Sequence, residues 1–448
     1  MSRLHRTDRR TFLKQTAAAA FAAPAFIRNL TAAPPSDVVR HASFGASGMA
    51  GADLGAIISH PKVKFVCVAD VDLKRAEALK KNHPELRVYQ DWRELLDKEH
   101  KNLDSVNVST TDHMHAPIGM TAMQHGLHVY GQKPLTHDVF ESRRLAQVAT
   151  DKKLVTQMGI QIHSSFEYRT AVALIQSGAI GKVKEVHSWS SKKWGDSSPL
   201  PQKEDPIPEG FDWDQWLGVC EKRPFIGNGY YHPGNWRKRL DFGTGTFGDM
   251  GCHIFDPVFK AMDLTAPLTA HSTGPAPSAT NWANDAVVHF TFPETKFSVG
   301  PTFPITWYDG DQRPAKEITG PILGDKGLPD QGSLFIGEKG ALLLPHVAQP
   351  ILLPEKQYEG FVRPQIKGDN HWHQFVEAVL GNGTTLAPFS YAGPLTESVL
   401  LGGVATYFPN KLLEWDAANL KFTNEPDAAR LIRRTYRKGW EVAGLSDV

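Results

Sequence analysis

Short apolar runs and helical-period stretches alternate through the first third of the chain. Val38 to Phe44, Val63 to Ala69, Ser105 to Ser109 and His128 to Tyr130 read as strands, with Arg40 and His41 as polar interruptions in the first. Helices fall between them. One runs through Ile58, one is opened by the capping-box pattern Asp91-Trp92-Arg93-Glu94, and one ends at His125. Strands separated in this way by helices predict an α/β fold with a parallel, doubly wound sheet. Further along, Val183 to Lys192 reads as a strand and Ala286 to Phe292 alternates in part. Ser333 to Ile336 and Ala341 to Leu344, joined by Gly337-Glu338-Lys339-Gly340, read as a hairpin. Helices are expected near His371 to Leu380 and Pro394 to Tyr407. The Pro-rich and charged stretch Asp196 to Gly210 reads as an extended loop.

The first 35 residues follow another pattern. Asp8-Arg9-Arg10-Thr11-Phe12-Leu13-Lys14 is a twin-arginine stretch, and an apolar run from Ala17 to Phe26 follows it. The run is too short for a permanent anchor, so the segment reads as an export signal. Cleavage is expected between Ala25 and Ser36, with Ala33 a candidate. The expected location is therefore extracytoplasmic or periplasmic, for a mature protein that does not engage the membrane. The expected divisions are a leader at 1–35, a nucleotide domain at 36–157 and a second domain at 158–448, whose last helices pack back on the first. The chain's 448 residues suffice for two substantial domains. Lys plus Arg is 49 and Asp plus Glu is 48, so no basic field points to nucleic acid. Three cysteines, Cys67, Cys220 and Cys252, make no disulfide framework.

Candidate chemistry sits at the carboxyl ends of the predicted strands, where such sheets hold their ligands. Gly45-Ala46-Ser47-Gly48-Met49-Ala50-Gly51 follows the first strand and opens a helix. A tight turn of this kind lets backbone N–H groups approach a pyrophosphate. Asp70 ends the second strand and is placed to accept hydrogen bonds from ribose hydroxyls, which favours NAD; Arg75 nearby keeps NADP open. The candidate cofactor contacts are Gly45, Ser47, Gly48, Met49, Asp70, Thr110, His113, His115, Gln132 and Lys133. Lys133 follows a strand, while Asp249 and His253 lie four apart on a predicted helix, hence on one face. His371-Trp372-His373 reads as a helix start rather than a metal site, because no third ligand matches.

These motifs in this order resemble the glucose–fructose oxidoreductase, inositol dehydrogenase and rhizopine-catabolism group, Gfo/Idh/MocA. Gly131-Gln132-Lys133-Pro134 matches that family's Glu-Lys-Pro with Gln132 in place of Glu. Ser109 to Ala116 matches its loop after the fourth strand, and Gly243 to His253 its catalytic helix. Gln157 to Ser164 and Tyr391 to Glu397 resemble a branch of exported bacterial members. The resemblance implies a second domain built on a large, mostly antiparallel sheet that often supplies a dimer face, so a homo-oligomer is expected. It also implies the catalytic set Lys133, Asp249 and His253. His253 is the expected general base, Asp249 its orienting partner or a hydroxyl ligand, and Lys133 the group that polarises the carbinol oxygen. Gln161, His163, Tyr168, Arg169, Trp236 and Arg237 are candidate substrate contacts, with His163 and Arg237 the first choices.

The expected reaction is oxidation of a hydroxyl of a sugar, sugar derivative or polyol. Outside the cytosol no large nicotinamide pool should exist, which implies a tightly held, recycled cofactor. The alternative is an NAD-dependent glycosidase that oxidises a sugar transiently at C3, eliminates the aglycone and returns the hydride. A nonenzymatic sugar-binding or NAD-sensing protein is the third reading.

Overall fold

The computed structural model describes residues 37–324 and 326–446. The twin-arginine stretch, the apolar run behind it and the expected cleavage region lie outside the described residues. The first strands are β1 (Val39–Phe44), β2 (Val63–Ala69), β3 (Arg87–Tyr89), β4 (Ser105–Val108), β5 (His128–Gln132) and β6 (Thr156–Gly159). They pair in the order β3-β2-β1-β4-β5-β6, parallel throughout. Because helices cover both faces, β4 and β6 are buried along their whole length, as parallel strands require. The polar residues in β1 are matched sideways. His41 hydrogen-bonds Ser105 at 2.8 Å and Asn107 at 3.0 Å, and Arg40 pairs with Asp104 at 2.7 Å. Buried polar groups with partners do not break a strand.

Among the described residues, nine strands form a second sheet. They are β7 (Val183–Ser190), β8 (Thr269–Ser272), β9 (Val287–Pro293), β10 (Thr302–Asp309), β11 (Gln331–Gly337), β12 (Ala341–Pro345), β13 (Ile351–Leu353), β14 (Leu412–Asp416) and β15 (Lys421–Phe422). Their order is β13-β12-β11-β7-β10-β9-β8-β14-β15. The pairing is antiparallel except between β7 and β10. The fold is thus α/β: a parallel Rossmann sheet followed by a mostly antiparallel one. Phe247, Phe255, Phe290 and Trp307 pack one face of the second sheet against the helix Gly245–Ile254, with Phe247 stacked on Trp307 at 4.6 Å.

Two local expectations change. Asp91 caps its helix by accepting from the N–H of Arg93, at 2.8 Å, rather than through a reciprocal box with Glu94. Its carboxylate is also held by the Arg93 guanidinium and by Gln215, which displaces the box geometry. A reciprocal box does occur between Asp138 and Glu141, opening the helix Val139–Asp151. The helix expected from Pro394 begins earlier, at Phe389, and carries Pro394 inside it. Burial overrides the proline there. The helix is apolar all round and packs on Val139–Asp151, where Ser142 Oγ donates to Gly393 O at 2.8 Å and Arg143 pairs with Glu397. No helix among the described residues is long and apolar enough to cross a membrane. Cys67, Cys220 and Cys252 are free and buried.

Candidate active site

An open cleft of roughly 1100 Å³ runs along the carboxyl ends of β1, β2 and β4. Gly45, Ser47, Gly48, Met49, Asp70 and Thr110 line it, together with Arg75. Gly45 and Gly48 hold φ of +101° and +60°, which side chains disfavour. A Cβ on Gly45 would meet Ala50 and the Ser109 carbonyl at 2.7 and 2.9 Å. Gly48 precedes the helix Met49–Ile58, whose first turn has no side-chain cap, so its N–H groups are available to an anion in the cleft. Asp70 accepts from the N–H groups of Ala46 at 2.8 Å and Asp72 at 2.9 Å. Each carboxylate oxygen keeps a lone pair, so the residues present fit a dinucleotide's pyrophosphate and ribose. Arg75 donates to Ser47 Oγ at 2.9 Å and pairs with Asp72.

The far wall is aromatic. Gln215, Trp216, His232, Pro233, Trp236 and Arg237 come from the long connection after β7. That wall is anchored by the C-terminal segment. Arg437 binds the Asp214 carboxylate at 2.6 and 3.3 Å and the Gly218 carbonyl at 3.0 Å.

Beside the cleft, the lysine after β5 meets the helix Gly245–Ile254. Lys133 Nζ donates to Asp249 Oδ1 at 2.6 Å and to the Asp249 carbonyl at 3.0 Å. Arg237 Nε reaches the same Oδ1 at 3.1 Å, and Trp194 Nε1 donates to Oδ2 at 2.9 Å. Burial alone would raise the Asp249 pKa, but Lys133 and Arg237 outweigh it and hold the carboxyl well below the usual range. His253, one helical turn on, is pushed the opposite way from an acid's preference. Burial and then Lys133 hold its pKa well below 6.5, so the imidazole is neutral. Its Nδ1 is sealed without a hydrogen-bond partner. Burial also raises the Asp112 carboxyl to about 7, although Arg237 and the Thr244 hydroxyl, 2.8 Å away, pull it down.

The structure separates the other candidates. Arg237 and Trp236 line the cleft, with the Arg237 guanidinium 4.3 Å above the Trp236 ring. His113 is buried against Trp216 and Phe242 and bonds the Trp216 carbonyl at 3.0 Å. The Nδ1 of His115 lies 2.7 Å from the Pro134 carbonyl and Nε2 3.2 Å from the Thr110 carbonyl; the neutral ring donates to one of the two, which steadies the loop carrying Lys133. Gln132 turns inward to Asp53 at 2.8 Å, and Gln161 approaches the same carboxylate at 3.4 Å. His163 spends Nδ1 on both oxygens of buried Asp256, at 2.9 Å each, and Tyr391 donates to that carboxylate at 2.6 Å. Arg169 donates to the Lys367 carbonyl at 2.6 Å. Tyr168 donates to Nδ1 of His346 at 2.8 Å, and the His346 ring lies 6.0 Å from that of His253. Trp194, His346 and Asp53 carry no motif in the sequence. Only an aromatic and a histidine in otherwise polar loops could have drawn attention to the first two.

Residues 39–160 match the NAD-binding Rossmann fold of the GFO_IDH_MocA oxidoreductase family, and residues 174–301 match that family's C-terminal alpha/beta domain. The chain is 28% identical to a levoglucosan dehydrogenase of Pseudarthrobacter phenanthrenivorans over 25% of this chain and 28% of the relative. It is 25% identical to a glycosyl hydrolase family 109 protein of a Shewanella species over 40% of this chain and 45% of the relative. The match thus spans less than half the length of either curated relative. An inositol dehydrogenase homologue of Azotobacter vinelandii, solved with NADH and myo-inositol, shares the fold with a TM-score of 0.58 and 14% identity, over 85% of this chain and 99% of that one. The two matched segments together take in more than half of the sequence, and the chain belongs to the Gfo/Idh/MocA oxidoreductase family.

Proposed function

We propose that the protein is an NAD-dependent oxidoreductase acting on a hydroxyl of a sugar, sugar derivative or polyol. The observation that carries the reading is the meeting of Lys133, Asp249 and Arg237 within 3.1 Å, with neutral His253 one turn away, at the end of β5 in an NAD-binding fold. NAD held in this cleft would supply the hydride acceptor. Neutral His253 takes the hydroxyl proton as a general base. Lys133, held by Asp249, donates to the carbinol oxygen and stabilises the alkoxide character that develops there. Asp249 balances the two cations and fixes the lysine's direction. The residues lining the cleft that fit NAD are Gly45, Ser47, Gly48, Met49, Asp70 and Thr110.

The cofactor is proposed to stay bound and to be recycled in place. The aromatic wall at Trp216 and Trp236, tied down by Arg437, supports this, because it encloses the cleft from the side opposite the Gly turn. Export through the twin-arginine route, which removes the protein from the cytosolic nicotinamide pool, fits the same reading, as does a homo-oligomer. A second reading is redox-neutral glycoside cleavage with the same residues, favoured by the likeness to a glycosyl hydrolase family 109 protein.

The experiment uses full-length protein purified without added nucleotide. The nucleotide released on denaturation is identified by mass, and intact protein is offered free sugars, myo-inositol, levoglucosan and aryl glycosides. Stoichiometric NAD that becomes reduced on a free sugar or polyol supports the oxidoreductase. Aglycone release without net reduction supports the glycosidase. No bound nucleotide, and no binding of added NAD, sinks both.

A further inference from the structure

Asp53 lies in the helix Met49–Ile58 and is completely buried, without a cation beside it. Its carboxylate instead gathers neutral donors from separate parts of the fold. Oδ2 accepts from Ser109 Oγ at 2.9 Å and Gln132 Nε2 at 2.8 Å. Oδ1 accepts from Trp372 Nε1 at 2.9 Å, Tyr130 OH at 3.3 Å and Gln161 Nε2 at 3.4 Å. Such a site is expensive, since a buried carboxylate without an ion pair loses its hydration. Burial accordingly raises the Asp53 pKa while the Trp372, Gln132 and Ser109 bonds lower it.

What the carboxylate holds is informative. Gln132 spends its amide nitrogen on Asp53 and its amide oxygen on the backbone N–H of Lys133, at 2.9 Å. A second arm runs back through the sheet. Ser109 accepts from Asn107 Nδ2 at 3.0 Å, and Asn107 is bonded to His41 in β1. One buried charge therefore ties the helix of the Gly turn, the ends of β4 and β5, and the residue that begins the Lys133 loop.

We propose that Asp53 is the positioning residue for Lys133, acting from the first helix through Gln132. Carboxylate and amide face each other across a 2.8 Å contact, and the amide oxygen relays the constraint to the Lys133 backbone. The proposal rests on Lys133 being the group that polarises the substrate oxygen.

The acid–amide pairing predicts a reciprocal rescue. Asp53→Asn leaves two amides facing each other, Gln132→Glu sets two carboxylates together, and Asp53→Asn with Gln132→Glu restores one of each. The readouts are melting temperature, retained NAD, the pH profile of Lys133 acetylation by acetic anhydride measured by peptide mass, and kcat and KM on the best free sugar or polyol of the panel. Each single variant is expected to lose on the order of tenfold to a hundredfold in kcat, with a smaller change in KM. Each should also shift the Lys133 acetylation profile while Lys74 and Lys326 keep theirs. The double variant should recover the acetylation profile and most of kcat. An unchanged Lys133 profile in Asp53→Asn overturns the proposal. So does a double variant no better than the worse single, which would mark Asp53 as a packing residue only. Lys133→Met is the separate control. If it turns over substrate normally, the role given to Lys133 fails, whereas the acetylation profiles still decide whether Asp53 positions it.

Discussion

Replacing Asp249 by Asn removes the carboxylate that faces both Lys133 and Arg237. The Lys133 and Asp249 side chains are 12% and 13% exposed, and Arg237 is 25% exposed, so water compensates little. Breaking a buried pair from one side costs about 3–5 kcal/mol. Asn keeps an acceptor oxygen for Lys133, so the expected loss lies near the bottom of that range, about 3 kcal/mol. The folded-state pKa of Asp249 is depressed, so its contribution is present above pH 3.8 and is lost only as pH falls further; at pH 7 it is complete. With a urea m-value of about 3 kcal/mol/M, the unfolding midpoint should fall by about 1 M. Lys133→Met removes the cation that Asp249→Asn strands. The double variant should therefore lie about 1–3 kcal/mol above the sum of the singles. In turnover, Asp249→Asn should lower kcat by about 10²–10³. Urea midpoints followed by tryptophan fluorescence, run on the four proteins of the cycle, decide it. A midpoint for Asp249→Asn within about 0.2 M of the parent, together with additive singles, would refute the electrostatic account of this cluster.

Three further outcomes follow from the same geometry. Because burial and Lys133 hold His253 neutral below pH 6.5, the acid limb of kcat/KM should lie below pH 6.5; a limb above 6.5 that vanishes in His253→Asn would contradict the assignment. Asp112, raised from 3.8 to about 7, contributes stability that is present below its unfolded value and is lost as pH rises through 7; Asp112→Asn should therefore gain on the parent by up to about 4 kcal/mol between pH 4 and 8, as urea midpoints at both pH values would reveal. Arg437→Ala should cost about 2–4 kcal/mol through lost hydrogen bonds to Asp214 and Gly218 and should speed nucleotide loss on gel filtration; unchanged retention would mean that the Trp216 wall stands without it.

The parts legible in the sequence were those with a local signature. Buried parallel strands advertise themselves as apolar runs, and Gly45 and Gly48 mark a turn that needs positive φ. A strand end and a helical spacing of four single out Lys133, Asp249 and His253, and the family resemblance joins them into one set. What stayed hidden depended on distant partners. Asp53 is the lone acid on a short apolar helix, and nothing nearby announces Gln132, Ser109 and Trp372 around it. The Nδ1 of His163 is taken by Asp256, 93 residues on, a partner that no local pattern announces. Asp91 satisfied the capping-box pattern, yet Arg93 and Gln215 redirected its carboxylate. The Phe389–Ala405 helix starts before Pro394 because a proline, which locally marks a helix's first turn, is tolerated inside once packing fixes the helix.

The anchoring of the cleft wall also sets an order of events during synthesis. Asp214 waits for Arg437, which lies 223 residues further along the chain. The Rossmann sheet and its Gly turn can leave the ribosome and close long before that contact exists. A nucleotide meeting the nascent first sheet would find the floor of its cleft but not the fastened wall. Firm capture by the fastened wall therefore belongs after translation of the C-terminal segment.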